Sequence, residues 1–125
     1  MLFVMNYFKS ISIGAHGALE MLAAPLLIVA PFVLGFGYLA GAISIGLGVA
    51  LIGLAGSIYG GEGERPSVPL AAHAGLDQAL GIFTVFVGVI LLVTGELAPG
   101  TFMVGFGAAH LALYASTRYS RPLGA

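Results

Sequence analysis

"LAAHAGLDQALGIFTVFVGVILLVT", Leu70–Thr94, carries one formally charged side chain, Asp77, in 25 residues. At 1.5 Å per residue a helix of that length reaches about 37 Å, enough to cross a hydrocarbon core of about 30 Å. A membrane strand would alternate polar and apolar residues over about ten positions, and this run is continuously apolar. The stretch therefore reads as a membrane-spanning helix. Three more runs of the same kind can be drawn, at Ile11–Phe36, Leu39–Tyr59 and Gly100–Arg118. Composition agrees: 59% of the 125 residues are hydrophobic and 7% are charged, against about 25% charged in a soluble domain. Nine charged side chains cannot clothe a water-facing surface of this size.

The breaks between the runs set the topology. "GFGYLAG" (Gly35–Gly41) and "GELAPG" (Gly95–Gly100) are short, glycine-bearing turns, and "GGEGERPSVP" (Gly60–Pro69) is the one strongly polar loop. Short connections force antiparallel neighbours, so the expected architecture is a single membrane domain over residues 1–125, all-α, with four transmembrane helices running up-down-up-down. Both termini and the middle loop then share one side. That side holds Lys9, Arg65, Arg118 and Arg121, all the basic residues of the chain, while the other holds Glu96 alone. The asymmetry predicts cytoplasmic termini. "MLFVMNYFK" (Met1–Lys9) is too short to span and lacks the basic start of a signal peptide. It reads as an interfacial segment or a ragged helix start.

The halves resemble each other. "AHGALE" (Ala15–Glu20) and "AHAGLD" (Ala72–Asp77) both read Ala-His-x-x-Leu-acid, in a chain with three histidines and five acidic residues. His16 to His73 and Glu20 to Asp77 both span 57 positions. At that offset an ungapped overlay also pairs Leu34 with Leu91, Gly48 with Gly105, and Leu54-Ala55 with Leu111-Ala112. The reading is two tandem two-helix repeats, at about 10–60 and 68–118, related by a pseudo-two-fold along the membrane normal.

Positions i and i+4 share a helix face, so His16 stands over Glu20 and His73 over Asp77. His110, two turns before Arg118, falls in the same leaflet. Charge in hydrocarbon costs at least about 2.5–3.5 kcal/mol, so these groups are expected to face the bundle interior. Three uses compete. The carboxylates can complement helix N-termini and bond their own histidines as purely structural pairs. His16 and His73, with His110 as a possible third, can be ligands of haem, pigment or metal, the carboxylates orienting them. Or the groups can pass protons, along a path that stops where the outer leaflet offers only Glu96. Hydrolysis has no support, since Ser10, Ser12, Ser44 and Ser57 are scattered and no nucleophile motif occurs. With no cysteine, thiolate sites and disulfides are excluded. With a net charge of −1 and no basic stripe, nucleic acid is excluded as a partner.

Glycine, at 20 residues, is the other resource. Gly46, Gly48 and Gly53 in the second helix and Gly105 and Gly107 in the fourth are expected to admit close helix packing, within the bundle or between protomers. Pro25 and Pro31 are expected to kink the first helix.

"LLIVAPFVLGFG" (Leu26–Gly37), with Ala30-Pro31-Phe32 near the end of the first helix, resembles the small-Pro-aromatic step of the bacterial SPW-repeat membrane proteins. The paired Ala-His-x-x-Leu-acid segments are similar to two-repeat members of that kind. The resemblance implies two copies of a two-helix unit and brings no activity with it. The expectation from sequence is thus a bacterial inner-membrane scaffold or accessory subunit without catalysis, embedded in the lipid bilayer. It would form a homo-oligomer or dock on a larger membrane complex. The alternative is a binder of haem, pigment or metal.

Overall fold

The computed structural model describes residues 9–58 and 68–120, and within them four helices: α1 (Ile13–Leu34), α2 (Tyr38–Gly56), α3 (Leu70–Val93) and α4 (Leu97–Ser116). Each is long and apolar enough to cross a membrane. The protein is an all-α, four-helix membrane protein. Met1–Phe8, Arg65 and Arg121 lie outside the described residues, so the expectations placed on them concern sequence alone.

Local chemistry sets the helix ends. Ser12 caps α1 by accepting from the Ala15 N–H at 3.2 Å. Gly35, at φ 68°, closes it in the left-handed region that favours glycine. Gly95, at φ 91°, makes the corresponding turn between α3 and α4. α4 begins three residues before the expected Gly100, because Pro99 sits in its first turn. There a missing N–H costs no helical hydrogen bond.

α1 runs through Pro25 and Pro31 as one helix. Proline at 31 cannot bond the carbonyl of Leu27 four residues back. The buried Ser44 hydroxyl of α2 takes that carbonyl instead, at 2.5 Å. Pro31 itself is buried, and a Cβ at Gly41 would touch its ring at 3.4 Å. The proline's consequence is thus a cross-helix hydrogen bond.

α1 packs mainly on α2, and α3 mainly on α4, so the fold is two hairpins laid side by side. Ala24, Leu27, Leu47 and Leu51 form the apolar centre, with Leu80, Phe102 and Phe106 of the second hairpin against them. Leu22, Phe32, Val33, Leu39 and Val93 are more than 70% exposed and form the face that lipid covers.

The glycines correct the sequence reading in two ways. A Cβ at Gly46, Gly53 or Gly105 would meet nothing within 4 Å, so these three face outward and do not bring helices of this chain together. Gly48 does: a Cβ there would lie 2.7 Å from Ile28 Cγ1 and 2.9 Å from the Ala24 carbonyl oxygen. Its counterpart is Gly107, where a Cβ would lie 2.7 Å from Val85 Cγ2 and 3.1 Å from the Gly81 carbonyl oxygen. Ala24 and Ile28 stand 57 positions before Gly81 and Val85, but Gly48 stands 59 before Gly107. The difference lies in the first helix of each hairpin, 22 residues in α1 and 24 in α3. The ungapped overlay therefore holds for α1 on α3 and fails for α2 on α4. In the corrected register Ala40, Gly41, Ser44, Gly48 and Leu51 match Pro99, Gly100, Met103, Gly107 and His110, all buried. His110 thus takes the place in the second hairpin that Leu51 holds in the first.

Candidate metal centre

The described segment before α1, the starts of α1 and α3, and the end of α4 lie at one end of the bundle, and five of the chain's ionisable side chains converge there. His16, Glu20, His73 and Asp77 are 0–1% exposed and His110 is 6% exposed. Within each helix the i,i+4 pairing holds, with His16 Nε2 at 2.9 Å from Glu20 Oε1 and His73 Nε2 at 3.3 Å from Asp77 Oδ2. Between hairpins the pairs cross. His16 Nε2 is 2.9 Å from Asp77 Oδ2, and His73 Nε2 is 3.5 Å from Glu20 Oε2. The two rings meet edge to face with centroids 5.5 Å apart. His110 Nε2 approaches Asp77 Oδ1 at 3.2 Å in hydrogen-bond geometry and Glu20 Oε1 at 3.6 Å.

His16 Nε2, both Glu20 oxygens and both His73 ring nitrogens have no aligned partner among the described residues, though all are buried. The protons can be counted for His16. The Thr117 hydroxyl gives its one hydrogen to the Leu113 carbonyl at 2.6 Å. It must therefore accept from His16 Nδ1–H, 2.8 Å away. In the neutral ring Nε2 then carries a lone pair, aimed at two carboxylate oxygens. Acceptors facing acceptors in a dry site need a proton or a metal cation between them.

The spacing suits one. Ligand atoms of His16, Glu20, His73 and Asp77 all lie within 4.8 Å of one another. Donors at about 2.1 Å from a common ion stand about 3.0 Å apart at adjacent octahedral corners and about 3.4 Å apart at tetrahedral ones. The four His–carboxylate approaches, 2.9, 2.9, 3.3 and 3.5 Å, bracket those edges. His110, bonded to Asp77 Oδ1, serves to orient that carboxylate.

Two residues that sequence reasoning passed over complete the site. Thr117 is fully buried and fixes the His16 ring. Its spacing of seven from His110 places it on the same face of α4, a signal that could have found it. Tyr119 donates its hydroxyl to Asp77 Oδ2 at 2.7 Å. It lies beyond the helix, where no periodicity points inward. Burial, and then that bond to Asp77, push the Tyr119 phenol above the ordinary range, so it stays protonated. The strap carrying both residues is held by Ile11, which donates to Ser116 O at 3.0 Å and accepts from Arg118 N–H at 2.8 Å.

No protein-family model, curated protein or solved structure matches the chain. The chemistry of this cluster therefore carries the functional reading.

Proposed function

We propose that the protein binds one divalent first-row transition ion inside the membrane. His16, His73, Glu20 and Asp77 act as ligands, and His110, Thr117 and Tyr119 hold them in place. The observation that carries this reading is the buried His16 Nε2, which lies 2.9 Å from a carboxylate oxygen of each acid without hydrogen-bond geometry to a described residue. Imidazole and carboxylate donors without sulfur suit zinc, iron(II) or manganese. Two carboxylates and a divalent ion sum to zero charge, which is the state that costs least to bury in a bilayer. No catalytic step is assigned. The chain is read as a bacterial inner-membrane accessory subunit with both termini in the cytoplasm, on the support of its one-sided basic residues. Docking on a second copy or a larger complex has the outward glycines Gly46, Gly53 and Gly105 in its favour.

Elemental analysis of protein purified in detergent without chelator tests the metal. About one ion per chain is expected, lost in His16→Ala and His73→Ala while the protein stays folded. A metal-free sample that takes up neither zinc, manganese nor iron(II) would leave only protons to bridge the cluster, and the proposal fails.

A further inference from the structure

A pocket of about 850 Å³ lies at the end of the bundle that holds the cluster, where α3 begins and α4 ends. Tyr119 is the wall it shares with the cluster, its ring lining the pocket and its hydroxyl bonded to Asp77. Lys9 and Arg118 supply the charge of the lining, and no acidic residue contributes to it. The Arg118 N–H donates to Ile11 O at 2.8 Å, and that bridge brings Lys9, two residues before Ile11, to the end of α4. Among the described residues neither cation has an ion-pair partner. The Tyr114 and Ser120 hydroxyls, also in the lining, have no hydrogen-bond partner among them either.

We propose that this pocket binds the phosphate head of an anionic membrane lipid. Depth sets the medium. Ala71 is the second residue of α3 and Ala115 the last but one of α4, so the pocket lies at the height where lipid heads meet the ends of spanning helices. Charge sets the sign, because a basic pocket between helix ends attracts anionic heads, by roughly fivefold in affinity for each Lys or Arg. The Arg118 fork and the Lys9 ammonium only donate hydrogen bonds, and phosphate oxygens accept them. Size favours a glycerophosphate head over a bare carboxylate, since the volume falls within the about 300–1,000 Å³ of sites that enclose a ligand. Ala71, Ala74 and Ala115 give the pocket an apolar side on two membrane-spanning helices, and Ala71 and Ala115 are exposed. Acyl chains can leave along that side, which a free phosphate ester would not use. None of the four proposed metal ligands lines the pocket, so the site stands apart from the metal reading.

Native mass spectrometry of the full-length protein, in neutral detergent with added lipid, tests the proposal. Phosphatidylglycerol should bind at least about fivefold more tightly than zwitterionic phosphatidylcholine or oleate. Lys9→Gln combined with Arg118→Gln should lower that affinity by about 25-fold, fivefold for each charge. Ala115→Trp fills the pocket from an exposed position and keeps both charges, and it should also abolish the preference for phosphatidylglycerol. Equal binding of phosphatidylcholine or oleate overturns the proposal, as does undiminished phosphatidylglycerol binding in the doubly substituted chain. Undiminished binding in folded Ala115→Trp shows attraction by surface charge alone and overturns the pocket. Glycerol phosphate that binds as tightly as phosphatidylglycerol overturns the lipid assignment and makes the occupant a soluble phosphate ester.

Discussion

The two registers for the second helices differ in a way that four alanine substitutions can decide. Overlaid at 57 positions, Gly48 corresponds to Gly105; in the packed structure it corresponds to Gly107. Gly48→Ala would place a Cβ 2.9 Å from a backbone carbonyl of α1, and Gly107→Ala would place one 2.8 Å from the Val85 backbone nitrogen of α3. Those neighbours are main chain, so relief requires the hairpin to part. Overpacking of this kind costs about 1–3 kcal/mol. Against it stands a gain of up to about 1 kcal/mol from replacing a helical glycine by alanine. The net loss therefore reaches up to about 2 kcal/mol, or up to roughly 30-fold in the folding equilibrium. Gly46→Ala and Gly105→Ala meet nothing within 4 Å and collect only the gain. Helix loss on heating or in denaturing detergent, followed by circular dichroism, should rank Gly48→Ala and Gly107→Ala below the parent chain. Gly46→Ala and Gly105→Ala should fall at or above it. Destabilisation by Gly105→Ala with a silent Gly107→Ala would restore the 57-residue register and refute the packing described.

Other expectations follow from single contacts. Thr117→Val keeps the side-chain shape but removes the acceptor for His16 Nδ1–H, and metal affinity should fall about 10–100-fold; Thr117→Ser should retain it, and equal loss in both would sink the orienting role. Ser44→Ala leaves the Leu27 carbonyl unbonded and should cost about 0.6–2 kcal/mol. In a double-mutant cycle with Pro31→Ala, which restores an N–H to that carbonyl, the Ser44 cost should shrink. Tyr119 contributes stability that is fully present below the ordinary phenol pKa near 10 and is lost above it, because only the unfolded chain then releases the proton. Its share of the alkaline decline approaches about 1.4 kcal/mol per pH unit, and an unchanged alkaline slope in Tyr119→Phe would contradict it.

The long apolar runs fixed four helices and their antiparallel order, since no other structure satisfies backbone groups in lipid over such lengths. The i,i+4 spacing put His16 over Glu20 and His73 over Asp77, because that relation is internal to one helix. The limits of each helix were legible to within about three residues, and Pro99 blurred α4 because proline marks both a turn and a helix start. Gly46, Gly53 and Gly105 looked equivalent to Gly48, since glycine is equally small wherever it lies on a helix; which one touches a neighbour depends on rotation about the axis. The crossing of the two His–carboxylate pairs, the arrival of His110 in a leucine's place and the inward reach of Tyr119 were decided by tertiary structure alone. These contacts join residues on different elements, whose distances depend on how two hairpins dock, and no sequence periodicity within either hairpin encodes that docking.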